Sequence, residues 1–155
     1  AYETAVEAMK LLIEYGENVR WYVLGEGEER GALEKQIKEY GLEKDFLLLG
    51  AKSNPYPYLA QTDLYVHATR YEGKSIAIQE AQTLGCTILV SDCSGNREQV
   101  VDGVDGSMCA LTPEGICEGI RRLLKDKEAC RRYGKAASEK NLSEEKQLER
   151  FLSLM

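Results

Sequence analysis

The sequence predicts an α/β fold in which a parallel sheet of about five or six strands is covered on both faces by helices. Two observations predict it. Short apolar runs of strand length alternate with longer amphipathic stretches along the whole chain. Glycine, proline or polar turn residues mark most of the transitions. The 155 residues suit one domain with a sizeable core, and no repeat, low-complexity segment or linker divides them.

The elements follow in order. Tyr2 to Tyr15 places Val6, Met9, Leu12 and Ile13 at helical spacing, and Gly16 ends that helix. Val19 to Leu24 reads as a buried strand. The glycine-rich, acidic loop Gly25 to Gly31 follows it, and then a helix with Leu33, Ile37 and Tyr40 on one face. Phe46 to Leu49 is the next strand, closed by Gly50. Asn54-Pro55-Tyr56-Pro57 reads as a turn, because each proline fixes φ and lacks a ladder donor. A short helix at Tyr58 to Gln61 precedes the strand Leu64 to Ala68, and a helix runs from Ile76 to Leu84. Thr87 to Ser91 is apolar and β-branched, a further strand. Asn96 to Val101 reads as a short helix and Ser107 to Ala110 as an edge strand. Thr112 caps a helix with Pro113 at its first position. Another helix covers Lys127 to Lys140. The last starts at Ser143 with an imperfect capping box, since Lys146 stands where Glu or Gln belongs. Its Leu148, Phe151, Leu152 and Met155 form an apolar stripe.

Composition narrows the function. The net charge of −6 argues against a nucleic-acid surface. The pairs Arg121-Arg122 and Arg131-Arg132 read as solvated faces. No stretch approaches the roughly 20 apolar residues that span a bilayer, and no secretory leader is visible at the N-terminus. The five cysteines are odd in number and form no C-x-x-C pair, so they suggest neither a disulfide framework nor a zinc site. Reduced, buried thiols favour the cytoplasm.

The chemistry concentrates in Arg70-Tyr71-Glu72-Gly73-Lys74-Ser75-Ile76-Ala77-Ile78-Gln79-Glu80-Ala81. This stretch crosses from a strand end to a helix start, the place where open α/β sheets bind ligands. A helix start offers unpaired N–H groups and the positive end of the dipole, which suit a phosphate. Glu72 and Glu80 would repel a phosphate, but they accept hydrogen bonds from hydroxyls. At about 1.5 Å per residue, Glu80 lies roughly 7.5 Å along the helix from Ser75. The pattern reads as acceptors for two sugars on either side of a phosphate group, which describes a nucleotide-sugar. Gly73 allows close backbone approach. Lys74 supplies a point charge. Ser75 either caps the helix or bonds a phosphate oxygen.

Two glutamates seven residues apart, with Gly after the first and Ala after the second, resemble the signature of group 1 (family 4) glycosyltransferases of the GT-B fold. The resemblance covers nearly the whole chain. Gly25-Glu26-Gly27-Glu28 is similar to that family's G-x-G-P loop, and Leu49-Gly50-Ala51-Lys52-Ser53 to its loop near the base. Tyr58 to Leu64 resembles the segment entering the active-site strand. Val90-Ser91-Asp92 with Gly95, Glu98, Asp102-Gly103 and Gly106 resembles the downstream half. Lys74-Ser75 departs from the commoner Phe-Gly, which leaves the donor sugar open.

The resemblance implies a Rossmann-like, C-terminal donor-binding half of a two-domain enzyme, with its N-terminal acceptor domain and first strand absent. That strand would carry an Arg and a Lys directed at the donor diphosphate. The implied function is transfer of a glycosyl group, with retention, from a nucleotide-diphosphate sugar to a saccharide or lipid-linked acceptor. No metal or other cofactor is implied. The setting would be polysaccharide, lipopolysaccharide or glycolipid synthesis, in the cytoplasm or at the inner face of the membrane. Glu72 is the implied catalytic residue. Gly73, Lys74, Ser75, Ile76, Glu80, Gly25, Gly27, Ala51 and Lys52 would contact the donor, the last two mostly through backbone, so the base stays unread. The final helix packs on its own sheet or crosses back toward the other domain. A non-catalytic nucleotide-binding module and a nucleotide-sugar epimerase remain as alternatives.

His67, the only histidine, reads as an ordinary strand residue. Asp92, Gly95 and Glu98 read as a loop turn and helix start, and Tyr56, Tyr58 and Tyr71 as packing residues.

Overall fold

The structure is a computed structural model that describes residues 1–142, 149 and 152–155. The elements alternate: α1 Tyr2–Glu14, β1 Trp21–Leu24, α2 Arg30–Glu39, β2 Phe46–Gly50, α3 Tyr56–Gln61, β3 Tyr65–His67, α4 Ile76–Thr83, β4 Ile88–Ser91, α5 Ser94–Gln99, β5 Ser107–Cys109, α6 Pro113–Lys125 and α7 Lys127–Leu142. The expected strands and helices are present, with ends that shift by a few residues. Most of the predicted final helix from Ser143, with Leu148 and Phe151 of its stripe, lies outside the described residues.

Every strand pairing is parallel, but the five described strands form two sheets. One is β1-β2 and the other β3-β4-β5. Only β4 is flanked on both sides, and all four of its residues are buried. The residues of β3 are half-buried, and in β1 Tyr22 is 51% exposed. One backbone edge of β1 and one of β3 carry no ladder among the described residues. The two sheets nevertheless share an apolar layer. Val23 of β1, Leu48 of β2, Val66 of β3 and Leu89 of β4 all pack into the cluster built by α1, α2 and α6.

Alternation along the strands builds the second face. Ile88 and Val90 of β4, Tyr65 of β3 and Met108 of β5 meet Ile78 and Ala81 of α4. On the first face, Val6, Met9 and Leu12 of α1 are fully buried. Each such side chain contributes about 1.5–3 kcal/mol by leaving water. α1 packs chiefly on α6 and then on α2, while α4 packs on α7.

Local chemistry sets the helix ends. Gly16 takes φ +80° behind α1. Thr112 accepts from the Gly115 amide, with Pro113 in the first turn. The Pro-rich turn is corrected in one respect. α3 already starts at Tyr56, because the first helical turn tolerates Pro57, whose missing N–H would have had no helical partner. The Asn54 side chain accepts from the Tyr56 amide at that start. Arg121 and Arg122 are also less free than expected. Arg121 pairs with Glu17 at 3.2 Å and lies over the Tyr15 ring, and Arg122 donates to Ser107.

Candidate active site

In a parallel sheet all C-terminal strand ends point one way. The loop with Gly25 and Gly27 follows β1, and that with Ala51 and Lys52 follows β2. Glu72 and Gly73 follow β3, and Cys93 and Ser94 follow β4. Within each sheet the predicted site loops therefore leave from one edge, those of Gly25 and Ala51 from the β1-β2 sheet and that of Glu72 from the β3-β4-β5 sheet. The loops after β3 and β4 meet in a cleft. An open cleft of about 440 Å³ is lined by Arg70, Tyr71, Glu72, Gly73, Cys93 and Ser94.

Glu72 is held from the strand behind it. Its Oε2 lies 2.7 Å from His67 Nε2, and His67 Nδ1 lies 2.9 Å from the Tyr65 hydroxyl. Burial raises the Tyr65 pKa, with Tyr2, Glu72, Glu80 and Cys86 adding to it, so the phenol keeps its proton. Below the loop sits Gly95. A Cβ there would lie 1.7 Å from the Glu72 carbonyl oxygen, so only glycine lets α5 approach the loop this closely. Glu80 is braced in a similar way. Tyr56, almost fully buried, places its hydroxyl 3.0 Å from Glu80 Oε1.

The start of α4 is tied down on one side and open on the other. The buried Ser75 caps the helix, its hydroxyl accepting from the Ile78 amide at 3.2 Å. Ser75 N–H donates to Gln99 Oε1 at 2.7 Å, and Gln99 Nε2 donates back to Ser75 carbonyl at 2.9 Å. Gln79 N–H reaches the Ser75 carbonyl. Of the first-turn donors, those of Ile76 and Ala77 have no partner among the described residues. Ile76 is half-exposed and Lys74 is exposed beside it. The structure thus gives Ser75 the capping role and leaves the Ile76 and Ala77 amides facing any anion at the helix tip.

The first two loops are looser. Gly25 takes φ +123° and its N–H donates to the Gly50 carbonyl, which joins the β1 and β2 loops. Gly27, Ala51 and Lys52 are exposed. None of these four residues hydrogen-bonds Glu72 or Glu80 among the described residues. Glu26 pairs with Arg30 at 3.0 Å.

Several neighbours differ from the sequence reading. His67 sits on its strand as expected, but it also grips Glu72. The observable signal was its place as the sole histidine of the strand leading into the motif. Gly95 supports the loop, and nothing in the sequence marked Gln99. Asp92 pairs with Arg97, which lowers the pKa of its carboxyl. Arg70 is fixed by Glu3 of α1. Burial pushes Cys86 and Cys109 up to about 11, so both stay thiols. Among the described residues no cluster of three His, Cys, Asp or Glu could hold a metal ion, and no helix is long and apolar enough to cross a membrane.

Fold and site together define an open α/β domain with a cleft between the loops that follow β3 and β4. The chain belongs to the group 1 glycosyl transferases, whose family model matches residues 1–140. It is 31% identical over 118 residues to a Campylobacter jejuni diphospho-undecaprenol 4-α-N-acetylgalactosaminyltransferase, covering 75% of this chain and 32% of that one. A structure of S. aureus TarM with UDP and α-GlcNAc-glycerol superimposes with TM-score 0.86 at 22% identity, over 99% of this chain and 32% of TarM. The C-terminal domain of a group 1 protein from Francisella tularensis superimposes at 0.75 with 20% identity, over 92% of this chain and 78% of that domain. The chain spans a third or less of the length of the first curated relatives it matches.

Proposed function

We propose that this chain is the donor-binding part of a retaining glycosyltransferase, taking a nucleotide-diphosphate sugar and passing its glycosyl group to a saccharide or lipid-linked acceptor. One observation carries the reading: two braced carboxylates, Glu72 and Glu80, flank a helix tip whose Ile76 and Ala77 amides have no other partner. The diphosphate sits at those amides, aided by Lys74 and the helix dipole. Glu80 receives ribose hydroxyls on one side. Glu72 receives donor-sugar hydroxyls on the other and stabilises positive charge as the sugar–phosphate bond breaks. Gly73 lets the backbone come close. The loops of Gly25, Gly27, Ala51 and Lys52 cover the base. UDP in the TarM structure and the diphospho-lipid named for the C. jejuni relative support the donor and acceptor classes. Transfer needs no metal, the amides and Lys74 carrying the charge.

The acceptor binds a second, N-terminal domain of the intact protein. The split sheet supports a further strand of this domain in the intact protein. One strand running parallel between the free edges of β1 and β3 would give the order β2-β1-strand-β3-β4-β5, the arrangement of a doubly wound nucleotide-binding sheet. The domain proposal is tested by hydrogen exchange on a longer natural chain. Amides of Tyr22, Leu24 and Val66, which alternate with those already bonded to β2 and β4, should gain protection, and unchanged exchange rejects the inserted strand.

The donor reading is tested by titrating the 155-residue chain with UDP, GDP and ADP and their glucose or mannose conjugates, followed by calorimetry. Glu80→Ala should weaken the nucleotide itself, and Glu72→Ala only the increment added by the sugar. Equal affinities for all variants would sink it. On this reading, with the acceptor held by a second domain, the 155-residue chain alone should turn over poorly.

A further inference from the structure

We infer that His67, steadied by Tyr65, is the positioning residue that holds Glu72 in the orientation that receives a sugar hydroxyl; this rests on the donor-sugar reading of Glu72. Alternation along β3 puts Tyr65 and His67 on one face, where Tyr65 packs against the cluster beneath α4. Both ring nitrogens of His67 are engaged in series, Nδ1 with the Tyr65 hydroxyl at 2.9 Å and Nε2 with Glu72 Oε2 at 2.7 Å. The His67 and Glu72 side chains are only 18% and 27% exposed.

Hydrogen-bond chemistry fixes the direction of this chain. An ionised carboxylate only accepts, so Nε2 must carry the proton it gives to Glu72. A buried phenol that keeps its hydrogen can donate to Nδ1 of a neutral ring, whose proton is then on Nε2. Oε2 is then committed to His67. Oε1 has no partner among the described residues and is the oxygen left for a ligand. The bracing matters because Glu72 lies on a loop, next to Gly73, and has three torsions of its own. A carboxylate already held in its binding orientation loses less entropy when a sugar arrives. Packing alone does not demand this residue, since an apolar side chain of similar size also suits a half-buried strand position.

The chain has one histidine, so its ring signals need no assignment. The first readout is a long-range proton–nitrogen spectrum of the ligand-free chain. The ring should be protonated at Nε2, and Glu72→Ala should move that Nε2–H resonance. The second is the ratio of affinities for UDP-glucose and UDP, and for GDP-mannose and GDP. His67→Leu should cut the sugar's increment about three- to tenfold. His67→Gln, which restores an N–H near the Nε2 position, should recover most of it, and Tyr65→Phe should fall between. An unchanged increment in His67→Leu, where Glu72→Ala loses it, overturns the positioning role and leaves the donor reading standing. An increment unchanged by Glu72→Ala overturns the donor reading itself. An Nε2–H resonance indifferent to Glu72→Ala overturns the positioning role whatever the ligands do.

Discussion

The two sheets are built to different tolerances. In the β3-β4-β5 half, Ser75, Glu72 and the Glu72 backbone are each held by a neighbour. Gln99 binds both backbone groups of Ser75, Gly95 supports Glu72 and His67 grips its carboxylate. In the β1-β2 half, the Gly25 and Gly27 loop meets open space, and a Cβ on either glycine would contact nothing within 4 Å. Under the proposed donor reading, the difference separates the groups that hold the reacting sugar from those that meet the base. A reacting sugar needs fixed groups, because a small misplacement costs much of the rate. A base that is gripped through backbone can be met by a loop that adapts.

The largest expected effect breaks the tight half. Gly95→Ala forces a methyl into the Glu72 carbonyl at 1.7 Å, a backbone atom that cannot swing aside. It should cost about 1–3 kcal/mol in urea denaturation and abolish the sugar's binding increment. Gly27→Ala in the loose half should stay within about 0.5 kcal/mol of the parent. Similar losses for both would erase the contrast. Gln99→Leu comes next. It leaves the buried Ser75 N–H without a partner and its carbonyl with the Gln79 amide alone, at about 1–3 kcal/mol, and should loosen the start of α4. Hydrogen exchange at Ile78 and Gln79 reads that loosening directly.

How far the sequence foretold this contrast depends on whether the interactions were local. Ser75 as a cap, Thr112-Pro113 as a helix start and the strand Thr87 to Ser91 were all legible, since each is encoded within a few neighbouring residues. So was the placement of Glu72 at a strand end. The brace on it was not, because Tyr65 and His67 read simply as strand residues until β3 turns both to one face. Gln99 is further hidden: it lies 24 residues from Ser75 and only the fold brings them together. The split of the sheet was equally invisible, since periodicity reports strands and not their order. Tyr56 was read as packing, and it is buried, yet its hydroxyl also reaches Glu80.

Smaller effects sharpen the comparison. Gly50 joins the two loops of the loose half at φ +77°, where a Cβ would lie 2.8 Å from Glu26 Oε1. That oxygen ends a flexible side chain and can move, so Gly50→Ala should cost only the left-handed backbone, about 1–2 kcal/mol. A cost above that of Gly95→Ala would show that the β1-β2 half is the more rigid one.

The smallest effect concerns the strap between α1 and the site loop. Arg70 bonds Glu3 and lowers its pKa from the ordinary value of 4.5. The folded value is the depressed one, so the pairing contributes fully above the unfolded pKa. It is lost as pH falls through the folded one. The Glu3 side chain is 42% exposed, so solvent screens most of the gain and global stability should barely register it. The local reading is sharper. In an acid titration the Arg70 Nε–H resonance should move with the Glu3 carboxyl carbon, at a midpoint below that of a free glutamate. Glu3→Gln should remove the shared transition, and with it the α1 anchor of the loop that carries Glu72. If Arg70 titrates without Glu3, the loop is held from its own half alone.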